Sequence, residues 1–142
     1  MQSSLEAFKH YYKTFDQGSI DGLDDVYADD VVFIDPIHVI SGRQNLKKYF
    51  ESMCGNLTEC RFEFIDEIVN GGNACFKWEM HYRHPSIKGN KPLKLAGASF
   101  IEYSDKIDSH EDYYDMGAML YEHVPVLGST IRILKSRISK AN

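Results

Sequence analysis

The sequence predicts an α+β fold in which N-terminal helices pack over the concave face of a curved, cone-shaped antiparallel sheet. Three observations lead to this fold class. Apolar residues recur every three to four positions before Gly55, they alternate at every second position after it, and the last segment returns to helical spacing. A length of 142 residues without an internal repeat or a linker indicates a single domain, 1–142.

The first part of the chain carries three helical patterns and one short strand. A first helix ends at Gly18 and has one apolar face, formed by Leu5, Phe8, Tyr12 and Phe15. Further helices are predicted over 20–27 and over 44–53, the latter with one apolar side formed by Leu46, Tyr49, Phe50 and Met53. Residues 31–34 are all apolar and predict a buried strand. Asp35 ends this strand, because the proline after it holds the aspartate in an extended conformation.

Alternating side chains predict four long strands in the second part of the chain. The first follows Gly55, and the glycines before Asn73 are a hairpin turn signal. The second strand has a continuous apolar face, formed by Phe76, Trp78, Met80 and Tyr82. Strands over 93–103 and 107–115 follow. A final helix over 126–138 is predicted to point four apolar residues toward the core, namely Leu127, Ile131, Leu134 and Ile138.

Composition and charge disfavour several classes of function. A net charge of -5 argues against nucleic-acid binding, which needs a strongly basic surface. Residues 31–34 form the longest aliphatic and aromatic run, far below the roughly 20 residues of a membrane span. The beginning of the chain lacks the apolar core of a signal peptide, and three cysteines fit reduced thiols, so we expect a cytoplasmic location.

Neither a metal nor a cofactor is expected. The spacings of the cysteines are not those of zinc ligands, and His81 and His84 would face opposite sides of a strand. No Gly-rich phosphate loop occurs in the sequence. The chemistry is therefore expected to rest on side chains alone.

Asp35 is the first candidate for a chemical role. It ends an apolar strand and has Ile34 and Ile37 as neighbours, so its carboxylate is placed to point into an apolar space. A carboxylate in such a space is suited to act as a general base. The alternative is a carboxylate that only caps the turn after the strand, and this alternative is favoured when Asp35 is considered alone.

The last predicted strand brings a second set of polar side chains together. His110, Asp112 and Tyr114 lie at every second position and therefore share one face. If this face is concave, the imidazole and the carboxylate can serve as acid and base, or the carboxylate can orient the imidazole. A solvated strand face with polar cross-strand pairs explains the same pattern equally well.

Other residues are candidates for lining the pocket that a cone-shaped sheet encloses. Trp78 and Met80 would form its floor, although such a stripe fits a plain core as well. His38 follows Asp35 and Pro36, where the entrance loop is expected. Exposure of His38 to solvent is the simpler interpretation.

The stretch from Gly18 to Gly42 carries a family resemblance. It closely resembles the ketosteroid-isomerase and SnoaL-like families of the nuclear transport factor 2-like superfamily through Gly18-Ser19-Ile20-Asp21-Gly22, Tyr27-Ala28-Asp29-Asp30, Asp35-Pro36 and Gly42. The segment 106–115 is similar to the last strand of SnoaL-like proteins, where a His and an Asp two residues later are common. The resemblance implies the cone-shaped α+β fold over nearly the whole chain.

The resemblance also implies roles for single residues. Asp35 falls where ketosteroid isomerases hold their general base, and Tyr11 falls where they hold an oxyanion-hole tyrosine. Asp112 falls near the acid/base aspartate of SnoaL-type polyketide cyclases, with His110 before it. Ketosteroid isomerases also hold a protonated carboxylic acid, and its nearest match on the strand over 93–103 is Ser99. Because Ser99 has no carboxyl group, the resemblance does not support steroid-type isomerisation. Relatives that hydrolyse epoxides need an arginine on the cavity side, which the pattern does not place.

We therefore expect a small cofactor-independent enzyme of ketosteroid-isomerase or polyketide-cyclase type that acts on an apolar small molecule. Asp35 or Asp112 would be the base, and a hydrogen bond to the developing oxyanion would come from Tyr11, His110 or Tyr114. The alternative is a non-catalytic small-molecule-binding or accessory protein on the same fold. A homodimer is expected because the outer face of the sheet needs a cover, although this face carries Lys77, Glu79 and His81.

Overall fold

A computed structural model describes residues 4–13, 22–55, 57–119 and 127–141. Its helices are α1 (Ser4–Lys13), α2 (Leu23–Val26), α3 (Arg43–Gly55), α4 (Met116–Met119) and α5 (Leu127–Ala141). Its strands are β1 (Tyr27–Ile34), β2 (Val39–Ser41), β3 (Glu59–Asn70), β4 (Asn73–Arg83), β5 (Leu93–Tyr103) and β6 (Ile107–Tyr114). The mixture of helices and one curved sheet confirms the predicted α+β class.

The strands of the described residues form one sheet in the order β2-β1-β6-β5-β4-β3. Strands β3 to β6 form an antiparallel meander, as predicted. Strand β1 is parallel to β6, so the sheet is mixed rather than wholly antiparallel. This pairing places Phe33 beside His110. It thereby brings the first part of the chain next to the polar residues of the last strand.

The core lies between the concave face of the sheet and the helices α1 and α3. The inward side chains of β4 are buried, and those between them are more exposed, which matches the predicted period of two. Helix α1 buries the face that its spacing predicts, including Phe8, which is 1% exposed. Burial of one such large apolar side chain stabilises the fold by about 1.5–3 kcal/mol.

Two elements differ from the sequence-based prediction near the beginning of the chain. The described part of the second helix covers only Leu23–Val26, and Tyr27 is the first residue of β1. Strand β2 was not predicted, because three residues are too few to show a period. Phe15 and Gly18, which the prediction places at the end of the first helix, lie outside the described residues.

The apolar face of α5 is the clearest correction. Leu134 and Ile138, predicted to point inward, are 52% and 65% exposed. Helical spacing predicts that a helix has an apolar face, but it does not predict what that face contacts. Since α1 packs on β3 and α3 packs on β1, other helices already cover much of the concave surface.

The two edge strands of the sheet differ in length and regularity. Strand β2 has three residues, whereas β3 at the opposite edge has twelve. The pairing of β3 with β4 is interrupted between Phe64 and Asp66 by an irregularity that resembles a β-bulge. No helix among the described residues is long and apolar enough to cross a membrane.

Candidate active site

Asp112 is the centre of a hydrogen-bond network on the concave face of β6. Its Oδ1 lies 2.6 Å from His110 Nε2 and 2.5 Å from Ser99 Oγ. The register of β5 and β6 places Ser99 directly opposite Asp112, and the strand period places His110 on the same face. Both hydrogen bonds therefore converge on a single oxygen of the Asp112 carboxylate.

The chemistry of the neighbouring groups assigns the direction of these bonds. Trp78 Nε1 can only donate, and it lies 2.9 Å from Ser99 Oγ. Ser99 therefore accepts from the indole and donates its own proton to Asp112. On the same basis we assign a proton to His110 Nε2. Oδ1 of Asp112 thus accepts two hydrogen bonds.

Tyr27 holds the other side of the His110 ring. Its hydroxyl oxygen is 2.8 Å from His110 Nδ1 and 2.6 Å from the hydroxyl oxygen of Tyr12. The Tyr27 and His110 rings are stacked with an angle of 7° between their planes. In the neutral imidazole a proton on Nε2 leaves Nδ1 as the acceptor of the Tyr27 hydroxyl group, so the bonds to Asp112 and Tyr27 together select one tautomer. A continuous chain of hydrogen bonds thus connects Tyr12 with Asp112.

Asp35 lies in the loop after β1 and uses both of its carboxylate oxygens. Oδ1 accepts the backbone N–H groups of Ile37 at 2.9 Å and of His38 at 2.7 Å, so it caps the turn. Oδ2 accepts the hydroxyl group of Tyr49 at 2.5 Å. The structure thus contains the turn cap that was the simpler interpretation of Asp35, and it adds a hydroxyl partner from α3.

The two carboxylates line the same cavity, whose volume is about 50 Å³. The remainder of its lining is aromatic and aliphatic, formed by Tyr12, Phe33, Tyr49, Phe50, Met53, Phe62, Trp78, Met80, Leu95 and Tyr114. A wider opening of about 540 Å³ shares Asp35, Asp112 and Tyr114 with it and adds Glu111. The site is therefore a narrow aromatic cavity with its two carboxylates where it meets the opening.

Two tyrosines of the cavity remain protonated. Burial, followed by the hydrogen bond to Asp35 and the charge of Asp35, raises the pKa of Tyr49 far above its usual value. Burial, followed by the charges of Asp35 and Asp112, raises the pKa of Tyr114 in the same way. Both hydroxyl groups are thus held in the form that donates a hydrogen bond.

Most of the residues singled out in the sequence meet at this cavity. Its lining includes Asp35, Asp112, Tyr114, Trp78 and Met80. His110, which is 1% exposed, and Ser99, which is 3% exposed, lie beside Asp112 and orient it rather than line the cavity.

Tyr11 and His38 are placed differently from these residues. Tyr11 is buried, with its ring against Tyr12 and Tyr27, and it does not belong to the described lining. The His38 side chain is 43% exposed, and its Nδ1 lies 3.3 Å from Asp35 Oδ1. His38 therefore contacts the outer side of Asp35 rather than the cavity.

Sequence reasoning did not assign a role to Tyr12, Tyr27 or Tyr49 in the site. Tyr12 and Tyr49 were placed on apolar helix faces, and their hydroxyl partners are distant in the sequence. Tyr27 was placed at the end of a helix. The available signal was its even spacing from Val31 and Phe33, which puts all three on one face of a longer strand.

Gly97 makes room for the Trp78 indole. The two residues are directly paired between β4 and β5. A Cβ atom at position 97 would lie 2.4 Å from Trp78 Cη2, closer than any real contact. The indole therefore lies against the bare backbone of β5, which allows its Nε1 to reach Ser99.

One group among the described residues has a geometry that a metal ion would need. The side-chain ligand atoms of Glu63, Glu79 and His81 lie within 4.8 Å of one another. They are on the outer face of the sheet, where Lys94 Nζ lies 3.1 Å from Glu79. The positive charge of Lys94 beside these residues makes the group a surface charge network that is separate from the cavity.

Comparisons with known proteins agree with this architecture. The family model described as a SnoaL-like domain matches residues 8–110. The chain therefore belongs to the SnoaL-like domain family, which has the nuclear transport factor 2-like, ketosteroid-isomerase-like fold. No curated protein matches the sequence.

Solved structures of similar proteins show the same fold at low sequence identity. A candidate polyketide cyclase from Pseudomonas putida KT2440 has 19% identity and a TM-score of 0.73, with 87% of this chain and 99% of that chain covered. TerC, co-crystallised with polyporic acid, has 17% identity and a TM-score of 0.71, with 82% and 94% covered.

A third similar structure comes from Catenulispora acidiphila DSM 44928. This protein has a ketosteroid isomerase-like fold and is in complex with trimethylamine. It has 13% identity and a TM-score of 0.69, with 82% of this chain and 88% of that chain covered. At these identities the likeness establishes the fold.

Proposed function

We propose that this protein is a small cofactor-independent enzyme that uses Asp112 as a general base on an apolar small molecule. The supporting observation is that His110 and Ser99 both bind Oδ1 of a carboxylate that lines the cavity. This leaves Oδ2 to remove a proton next to a carbonyl group, or to activate water, as in isomerases and cyclases. A well-placed base accelerates such a step by about 100- to 10,000-fold.

Tyr114 would stabilise the negative charge that develops on the substrate. It lines the cavity and stays protonated, so its hydroxyl group is a donor for an oxyanion, whereas the single proton of the Tyr49 hydroxyl group is donated to Asp35. One such donor in a site that excludes water contributes roughly 3 kcal/mol. We assign this role to Tyr114 rather than to Tyr11, which is not part of the described lining. Asp35 would mainly hold Tyr49 and the loop after β1.

The similar structures support the use of this fold for small organic molecules. TerC was co-crystallised with polyporic acid, and the Catenulispora acidiphila protein is in complex with trimethylamine. We propose that this chain likewise binds a small molecule in the cavity between its sheet and helices.

The proposal is tested by hydrogen exchange catalysed by the protein. A panel of cyclic ketones is incubated in D₂O, and deuterium at the carbon next to the carbonyl is measured by mass spectrometry. We expect exchange with the wild type and its loss in Asp112→Asn, in which the amide cannot accept the proton. The matched control is Asp30→Asn, which removes a carboxylate from an exposed position of β1 and should keep full exchange.

A catalytic role of Asp112 would be refuted by wild-type exchange in the folded Asp112→Asn protein. The narrow cavity also favours a second candidate, a binding or accessory protein whose pocket is largely filled by its own aromatic side chains. Native mass spectrometry of the protein from its own host separates the two candidates. A retained small molecule that is bound but never exchanged or converted would support the second one.

We further propose a cytoplasmic homodimer that pairs through the outer face of the sheet. This face carries an aromatic pair, Phe100 and Tyr113, which are 52% and 54% exposed and 5.5 Å apart between ring centroids. Covering such a pair is favourable, despite the charged residues of β4 nearby. Light scattering that reports a monomer at micromolar concentration would contradict the dimer.

A further inference from the structure

We infer that the cavity selects a small organic cation, an alkylammonium group attached to an apolar body. The inference rests on the proposed function, because it uses the same cavity as the ligand site. The charged head group would lie between Asp35 and Asp112, where the narrow cavity meets the wider opening. The head group would also contact the aromatic rings of the narrow cavity, and the apolar body would extend into the wider opening.

The first argument is the charge balance of the site. Asp35 and Asp112 line the cavity, Glu111 joins them at the opening, and no Lys, Arg or His belongs to the described lining. The segments that the structure does not describe contain no lysine and no arginine either. In the part of the chain that the structure describes, the lining of the cavity thus offers no basic side chain to balance the two carboxylates.

None of the described hydrogen-bond partners of the two carboxylates is a lysine or an arginine. The donors to Asp35 are backbone N–H groups and the Tyr49 hydroxyl, and the partners of Asp112 are the Ser99 hydroxyl and His110. His110 lies behind Asp112, outside the cavity lining. His38 contacts Asp35 from the exposed side. A ligand cation would thus be the counter-charge inside the cavity, whereas an anionic ligand would add to the repulsion.

The second argument is the aromatic lining. Six phenylalanine and tyrosine rings and one indole surround the cavity, formed by Tyr12, Phe33, Tyr49, Phe50, Phe62, Tyr114 and Trp78. The faces of such rings carry negative charge density and attract the methyl groups of an ammonium ion. The carboxylates and the rings therefore favour the same ligand class independently. A volume of about 50 Å³ also suits a compact head group better than a fused ring system.

The test compares two probes of the same shape that differ in charge. Choline has a quaternary nitrogen where 3,3-dimethylbutan-1-ol has a carbon atom. Trp78 is the only tryptophan of the chain and lines the cavity, so its fluorescence and its indole N–H resonance report binding. We expect choline to bind about tenfold more tightly than the alcohol, or better.

Substitution of the carboxylates should remove this preference. Asp35→Asn and Asp112→Asn should each lower the affinity for choline several-fold and leave the affinity for the alcohol unchanged. Asp30→Asn, which removes one negative charge elsewhere, should change neither affinity. Near-ultraviolet circular dichroism and thermal unfolding verify that each variant is folded, and the two cavity variants test the same inference independently.

The outcomes separate this inference from the proposed function. The inference of a cationic ligand is refuted if the alcohol binds as tightly as choline or more tightly, or if both folded variants still prefer choline. In these cases the cavity remains a ligand site. The inference is also refuted if Trp78 responds to neither probe. In that case the proposed function stands if deuterium exchange depends on Asp112, and it fails if no exchange is found.

Discussion

Replacement of Tyr27 by phenylalanine tests how much the buried chain of hydrogen bonds contributes to the free energy of unfolding. Tyr27 is fully buried, so the substitution removes one oxygen atom and keeps the ring. His110 Nδ1 would lose its donor in a place that water does not reach, which costs about 1–3 kcal/mol. Loss of the bond to Tyr12 adds about 1 kcal/mol. We expect the free energy of unfolding to fall by roughly 2–4 kcal/mol.

Urea denaturation measures this free energy, and the slope of the transition verifies that the unfolding mechanism is unchanged. Tyr113→Phe is the matched control, because it removes a hydroxyl group that bonds Glu111 on the exposed face. It should change the free energy of unfolding by less than about 0.5 kcal/mol. The nitrogen resonances of His110 should shift in Tyr27→Phe and not in the control, since Nδ1 no longer accepts a hydrogen bond.

A double-mutant cycle of Tyr12→Phe and Tyr27→Phe isolates the bond between the two hydroxyl groups. Because each single variant already removes this bond, the double variant should lose about 1 kcal/mol less than the sum of the two. The interpretation would be refuted if Tyr27→Phe were as stable as the control, or if the two substitutions were fully additive.

Two other predictions follow from the same region. Burial is the largest cause that raises the pKa of Tyr12 and Tyr27 well above 10. The two protonated hydroxyl groups therefore make their full contribution to the free energy of unfolding below pH 10. Above pH 10 the free energy of unfolding should fall by about 1.4 kcal/mol per pH unit for each tyrosine. The phenolate absorbance of these two tyrosines should therefore appear only when the protein unfolds. Ionisation of either tyrosine in the folded protein would contradict the prediction. Gly97→Ala forces a Cβ atom to within 2.4 Å of Trp78, so it should lower the free energy of unfolding by about 1–3 kcal/mol and shift the tryptophan emission. Unchanged emission would show that the indole does not lie on Gly97.

The long strands could be predicted from the sequence because each has one face in the core and one outside. The predicted strand over 93–103 has the same bounds as β5, since Leu95, Ser99 and Ile101 alternate with exposed residues. The period of two also predicts that His110 and Asp112 share one face, although it leaves open whether this face is concave or solvated. These are local properties of the chain.

The contacts that complete the site are long-range and leave no local signal. Tyr49 was placed on the apolar side of a helix, but only the packing of α3 against β1 brings its hydroxyl group to Asp35. Tyr27 meets His110 because β1 is parallel to β6, a pairing that alternation alone does not distinguish from an antiparallel one. The prediction that the apolar face of α5 points to the core was wrong for the same reason, because helical spacing does not identify the surface that a helix contacts.

The difference between the edge strands has a consequence for association with other chains. A long, regular edge strand offers unpaired backbone groups to any extended peptide, and β2 avoids this by its shortness. The long edge strand β3 exposes Ile65, Ile68 and Val69, a composition that favours intermolecular strand addition and amyloid-like growth. Its irregularity after Phe64 and its interspersed acidic residues oppose such growth. Substitutions that remove the irregularity of β3 or neutralise Asp66 and Glu67 would therefore lower the solubility of the protein and let β3 pair with other copies of the chain.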